Sequence, residues 1–162
     1  MYMRRLKGVH RPGIAAAVPT FAGVVTFIDV GANIEPKPHH LSQYGIMGSV
    51  FAEIVLGVES PRVALMNVGS EEAKGTGELK AARDLLREME GIDFVGFVEG
   101  RAVFDGAADV VVSDGILGNV TIKLAEGLSQ GIFKMLAKEI GKMDPELLPR
   151  IQAVSEAIKA QY

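Results

Sequence analysis

Short apolar runs that stop at glycine, aspartate or asparagine, alternating with longer amphipathic stretches, constrain this chain more than any other feature. Val24 to Val30, Arg62 to Gly69, Asp93 to Val98 and Ala108 to Ser113 are rich in β-branched and aromatic residues and read as strands. Apolar residues then recur at helical spacing. From Pro38 to Leu56 they are Leu41, Met47, Val50, Phe51, Ile54 and Val55; from Glu78 to about Met89 they are Leu79, Ala82, Leu85, Leu86 and Met89. A third set, Val120, Leu124, Leu128, Ile132 and Leu136, predicts a helix from about Asn119 to Ile140. Strand followed by helix at these intervals predicts an α/β fold, a mostly parallel sheet flanked by helices.

Punctuation refines this outline. Ala15 to Val18 is a short strand ended by Pro19-Thr20, and Ala102 to Phe104 is a short helical or turn segment. Gly45, Gly48, Ser49 and Ala52 keep one face of the Pro38 helix small, which predicts close approach to another backbone or to a ligand. Gly127 and Gly131 lower helix propensity by about 1 kcal/mol each relative to alanine. They point to a close helix–helix contact across a homodimer, with a kinked helix as the alternative. Asp144 is the expected cap of a last helix with Pro145 in first position, running to about Ala160. The chain thus reads as one α/β unit over 1–162, with residues 142–162 as its C-terminal helical segment.

Composition narrows the function. Among 162 residues there is no cysteine, which excludes a disulfide scaffold, a thiolate nucleophile and a Cys-ligated metal centre. Lys and Arg number 17 against 20 Asp and Glu, a formal charge of -3 that does not steer a protein onto nucleic acid. The one basic run, Arg4-Arg5-Leu6-Lys7-Gly8-Val9-His10-Arg11, reads as a solvated terminus or an anion-facing helix end rather than a nucleic-acid arm. No apolar stretch of adequate length follows it, so a signal peptide is not expected. No run reaches the length that spans a bilayer.

Three polar clusters stand at element ends, where open α/β sheets build ligand sites. The first runs from Asp29 through Asn33 and Lys37 to His39 and His40. Asp29 and Asn33 can orient a ligand and Lys37 can neutralise an anion, although turn and cap chemistry calls for the same residue types. The histidines, His10 included, form no recognisable metal motif. In the second, Asn67 to Glu78, a strand leaves through Gly69, and Lys74-Gly75-Thr76-Gly77 enters a helix, so backbone N–H groups and Lys74 can hold a phosphate; a plain mobile loop is the alternative. The order of residues matches neither a Walker motif nor G-x-G-x-x-G. The third is Asp114-Gly115-Ile116-Leu117-Gly118-Asn119 with Thr121 and Lys123. Asp114 is either a turn residue or, at the C-terminal end of a strand, a residue placed for chemistry. No Gly-x-Ser-x-Gly elbow or Ser-His-Asp spacing is present.

In order along the chain stand Arg11-Pro12 with Pro19-Thr20, Asp29-Val30-Gly31-Ala32-Asn33 with Lys37-Pro38, and Gly45-Ile46-Met47-Gly48-Ser49-Val50. Pro61-Arg62-Val63 with Asn67-Val68-Gly69, Glu71-Glu72 with Lys74-Gly75, Phe97-Val98-Glu99-Gly100-Arg101, and Asp109 to Val112 through Asp114-Gly115 and Gly118-Asn119 follow. Together these pieces resemble the phosphate acyltransferase (PlsX) family of bacterial phospholipid synthesis. The resemblance implies transfer of an acyl group from acyl-acyl carrier protein to inorganic phosphate, with no cofactor and no metal. It implies a fold like the isocitrate and isopropylmalate dehydrogenases, a homodimer, and a cytoplasmic location near the membrane. It points to Asp29, Asn33, Lys37, Asn67, Glu71, Lys74, Asp114 and Asn119 as cleft residues; among them we read Asp114, Asn119 and Lys37 as catalytic and Asp29, Asn33, Asn67, Glu71 and Lys74 as substrate or phosphate ligands.

Direct attack of a phosphate oxygen on the thioester needs a held dianion and donors for the oxyanion. Lys37 or Lys74 would bind phosphate, Asn33 or Asn119 would donate to the carbonyl oxygen, and Asp114 would align a donor or take the phosphate proton. A serine ester on Ser49 or Ser113 is a minor route. Full family members extend further on both sides, so the expectation is a central and C-terminal part of the enzyme. Two alternatives stand beside it: a non-catalytic dimerisation or carrier-protein docking fragment, and an acetyl-coenzyme A phosphate acetyltransferase. Any membrane contact is expected to be weak and peripheral, through the last helix and its partner, unless that helix pair forms the dimer.

Overall fold

The computed structural model describes residues 7–161; Arg4, Arg5 and Leu6 of the basic run lie outside them. The elements are β1 (Ala15–Thr20), β2 (Gly23–Ile28), α1 (Pro38–Leu56), β3 (Arg62–Met66), α2 (Gly77–Arg87), β4 (Asp93–Val98), α3 (Gly100–Phe104), β5 (Val110–Val112), α4 (Gly115–Met143) and α5 (Leu148–Gln161). The expected α/β class is what forms: a five-stranded sheet in the order β1-β2-β5-β3-β4, parallel except for β1. Val111 of β5 pairs with Phe27 of β2 on one side and Ala64 of β3 on the other. A central strand has no solvated face, which is why all three residues of β5 are valine and all are buried.

β1 continues through Pro19 and Thr20, two positions that the sequence outline assigned to a strand end. It is an edge strand joined to β2 by a tight turn in which Thr20 Oγ1 donates to the Gly23 carbonyl at 2.9 Å, and an edge tolerates the missing proline N–H.

One face of the sheet carries α1 and α2. Leu41, Tyr44 and Ala52 of α1 and Ala82 and Leu86 of α2 pack with Ile28, Val63, Leu65, Phe97, Val110 and Val112. The small residues of α1 serve this packing. A Cβ at Gly48 would collide with Val110 Cγ1 and lie 3.2 Å from Ile28 Cγ2, and one at Gly45 would lie 2.7 Å from Leu86 Cδ2. Gly48→Ala is expected to lower stability by about 1–3 kcal/mol through overpacking, read as a lower urea midpoint with an unchanged slope.

At the opposite ends of β3 and β5 from their outgoing loops, Arg62 meets Asp109. The Arg62 backbone N–H and Nε each donate to Asp109 Oδ2 at 2.9 Å, Nη2 donates to Oδ1 at 3.0 Å and to the Gly106 carbonyl at 2.9 Å. The guanidinium holds the Asp109 carboxyl below the usual carboxylate range.

Two helix starts differ from expectation. α4 begins at Gly115 rather than near Asn119, because Asp114 caps it: the Leu117 N–H donates to Asp114 Oδ1 at 2.8 Å and the Gly118 N–H to the Asp114 carbonyl at 2.9 Å. Asp144 closes a turn instead of capping a helix, accepting from the Glu146 N–H at 3.1 Å, and α5 starts at Leu148 with Pro149 in its first turn. The chain divides into two compact units, Met1–Val120 and Thr121–Tyr162, with the division inside α4. In the second unit a Cβ at Gly127 or Gly131 would meet nothing within 4 Å, and Leu124, Leu128, Ile132 and Leu136 are exposed. Among the described residues no helix is long and apolar enough to cross a membrane.

Candidate active site

Because β2, β5, β3 and β4 are parallel, the loops that follow them leave from one edge of the sheet. The first of these loops is built around the Asp29 carboxylate, which is fully buried. Oδ1 accepts the N–H groups of Ile14, Gly31 and Ala32 at 3.0, 3.1 and 3.0 Å. Oδ2 accepts the backbone N–H of Asn33 at 2.7 Å and its Nδ2 at 2.9 Å. Burial alone would raise this pKa, yet the N–H groups of Ala32 and Ile14 and both Asn33 donors leave it below the ordinary value of 3.8. Asn33 Nδ2 also donates to the Pro12 carbonyl at 3.0 Å, so both amide hydrogens are engaged. Tyr44 lies beside this pair, its phenol pushed up to about 12 by burial and then by Asp29.

The third sequence cluster locks onto the first. Asp29 N–H donates to the Ser113 carbonyl at 3.1 Å, Ser113 N–H to Ile28 at 2.7 Å, and Gly115 N–H to Asn33 at 2.7 Å. Ser113 Oγ is spent on the Asp29 carbonyl at 3.1 Å. Gly118 lies so close to the same carbonyl that a Cβ would overlap it. Asn119 is exposed beside Gly31, where a Cβ would lie 3.8 Å from Asn119 Oδ1. Asp29, Asn33, Asp114 and Asn119 therefore share one junction, in which Asp29 and Asn33 hold the loop, Asp114 caps the helix and Asn119 stands exposed beside Gly31.

The second cluster follows β3. Asn67 is 7% exposed; its Oδ1 accepts the Val68 N–H at 2.9 Å, and its Nδ2 is buried without a hydrogen-bond partner. Gly75, at φ +90°, presses on this amide: a Cβ there would lie 2.9 Å from Oδ1 and 3.0 Å from Nδ2. Lys74 Nζ pairs with Glu71 Oε1 at 2.8 Å, and Glu71, with Glu99 beyond it, holds the ammonium above its ordinary pKa. Thr76 Oγ1 accepts the Leu79 N–H at 3.2 Å and caps α2, with Glu78 in the first turn. Asn67, Glu71, Lys74 and the start of α2 thus form a second polar group on the same edge.

Lys37 is the residue before α1, its side chain exposed and its N–H donating to His40 Nδ1 at 3.0 Å. The His40 ring lies 4.0 Å from His39 and 6.3 Å from His10. Burial, then the charges of His39, Arg11, His10 and Lys37, lower the His40 pKa below 6.5. A depressed histidine gives stability that is complete above its unfolded value and is lost as pH falls through the folded value. The thermal midpoint is expected to fall between pH 7 and pH 5, and less so in His40→Gln.

Sequence reasoning missed Tyr44, the capping role of Thr76 and the backbone groups of Pro12 and Ile14. A tyrosine one turn after His40, on the face that carries Leu41 and Gly45, was the available signal for the first. Ser49 stands far from these loops, lining a cavity with Pro61 and Asp93 at the amino ends of β3 and β4. Among the described residues no group of three His, Asp or Glu is placed to hold a metal ion.

Comparison with known proteins agrees in direction. Residues 1–159 match the family described as fatty acid synthesis protein. The chain is 49% identical over 138 residues to a phosphate acyltransferase of Alcanivorax borkumensis, covering 85% of this chain and 41% of that one. It is 50% identical over 133 residues to a phosphate acyltransferase of Bacillus subtilis, covering 82% and 40%. The chain spans about two fifths of the length of these relatives. On a match that covers nearly its whole length, the chain belongs to the fatty acid synthesis protein family.

Proposed function

We propose that these loops form part of the cleft of an acyltransferase that makes acyl phosphate from acyl-acyl carrier protein and inorganic phosphate. The observation that carries the reading is the unpartnered Nδ2 of Asn67, a buried donor packed against Gly75 in the loop that leads from Lys74 into α2. A buried donor without an acceptor is costly in an empty site and useful where an anion binds. The names of the relatives support the acyltransferase class.

In this reading phosphate binds against the Lys74 ammonium and the first turn of α2, with Lys37 adding positive charge. An oxygen of hydrogen phosphate attacks the thioester carbonyl carbon, the carbonyl oxygen gains charge, and the carbon–sulfur bond breaks as that oxygen charge returns to the carbonyl; the proton given up by the phosphate ends on the departing sulfur, so the carrier leaves as its thiol. Asn67 and Asn119 supply N–H donors for the phosphate and the oxyanion. Asp114 orders the turn that carries Asn119. Asp29 and Asn33 act as positioning residues, since their polar atoms are occupied within the loop. Direct displacement calls on no cofactor.

The test is to incubate the purified chain with phosphate and long-chain acyl-acyl carrier protein and to trap acyl phosphate with hydroxylamine. Lys74→Met and Asn67→Ala are each expected to lower the rate by about 100-fold. Equal rates in wild type and both variants would remove these residues from the site.

A second reading rests on the exposed stripe Leu124, Leu128, Ile132 and Leu136 of α4. Such a stripe suits a homodimer contact, and a chain that dimerises through it without forming product would be a dimerisation fragment. Sedimentation of wild type against Leu128→Glu measures that contact directly.

A further inference from the structure

We propose that the amino-end edge of the sheet carries a second ligand site, one that takes a small organic cation with a primary ammonium on a short apolar stem. A cavity of about 370 Å³ opens there, lined by Ser49 and Glu53 of α1, Ser60 and Pro61 before β3, and Ile92 and Asp93 at the start of β4. Its volume is in the range that holds small ligands.

Three features define its chemistry. Ser49 is 6% exposed, and its Oγ has no hydrogen-bond partner, although a hydroxyl in mid-helix usually finds one. Glu53, one helical turn further on, and Asp93, on the facing element, bring two carboxylates to the walls. The nearby Arg62 guanidinium is committed to Asp109 and the Gly106 carbonyl, and among the described residues no cation lines the cavity. Pro61 and Ile92 supply an apolar wall. An ammonium has three donors and no acceptor, which matches an acceptor hydroxyl and two carboxylates, and its stem lies against the proline and isoleucine. The site is separate from the loops that hold Asn67 and Asp114, which leave from the carboxyl ends of β3 and β5.

The probe is 1,4-diaminobutane, titrated into the isotope-labelled chain at constant ionic strength and followed by amide chemical shifts, with 1,4-butanediol as the neutral match. Saturable shifts confined to Ser49, Glu53, Ser60, Ile92 and Asp93 are expected with the diamine, and none with the diol. Glu53→Gln and Asp93→Asn should each weaken binding about tenfold, the loss of one charge-assisted hydrogen bond. Ser49→Ala should weaken binding without lowering the thermal midpoint, since it removes a hydroxyl that has no partner in the free protein. Shifts that fail to saturate or scatter over other acidic residues, an equal response to the diol, or unchanged affinity in the Glu53→Gln/Asp93→Asn double variant would each overturn the proposal.

Discussion

Gly118→Ala is expected to lower the unfolding free energy by about 3 kcal/mol or more and to disorder the loop from Asp29 to Asn33. The added Cβ would overlap the Asp29 carbonyl oxygen and stand 2.7 Å from Ser113 Oγ and 3.0 Å from the Asp29 carbonyl carbon. Two of these atoms are backbone, and the third, Ser113 Oγ, is held by its hydrogen bond to the Asp29 carbonyl. The Asp29 backbone is tied to Ser113, and Ser113 N–H is tied back to Ile28, so relief requires moving the first turn of α4 off the strand ends. Urea unfolding measures the loss, and hydrogen exchange at Gly31 and Ala32 reports whether the loop opens before the rest. A loss under about 1 kcal/mol, with protected loop amides, would show that this close approach is not tight.

Asp29→Ala attacks the same junction from its centre. It leaves the N–H groups of Ile14, Gly31, Ala32 and Asn33 and the Asn33 amide without their buried acceptor, and a loss of about 3–5 kcal/mol is expected. The pH dependence separates the charge from the shape. The wild-type carboxyl titrates below 3.8, so its contribution is complete above that pH and is lost as pH falls through the lower folded value. The gap between wild type and Asp29→Ala should therefore narrow in strong acid. A gap that stays constant down to pH 2 would mean that the carboxylate charge is not what holds the loop. The double variant Gly118→Ala/Asp29→Ala should cost less than the two losses added, because the two changes break one set of contacts.

Much of this fold was legible because its signals are local. The limits of α1 and β4 agree with the residues from which they were read, Pro38 to Leu56 and Asp93 to Val98, since a proline start, a glycine stop and a β-branched run are written in the residues themselves. The α4 start was not legible in the same way. Asp114-Gly115 reads as a turn, and only the capping bonds to Leu117 and Gly118 make it the entrance of a helix. Gly127 and Gly131 suggested close packing, but that depends on a neighbour which the sequence does not specify. The loops of the candidate site could be located because parallel strands deliver their ends to one edge. Which polar atoms remain available could not, since Asp29 and Asn33 have the same composition whether they bind a ligand or their own backbone. Asn67 differs from Asn33 only in what surrounds its amide.

The Arg62–Asp109 pair lies at the far end of the strands from the candidate site, yet it governs that site's geometry. It joins the first residue of β3 to the residue just before β5, and parallel strands have no hairpin to hold their alignment. A slip of one position would turn every side chain of β3 to the other face and carry Asn67 and its loop along the strand axis relative to Asp114. The pair works as a datum: with the tails of two strands pinned, their heads arrive at a set distance, and the loops that grow from them can vary in sequence without losing their places.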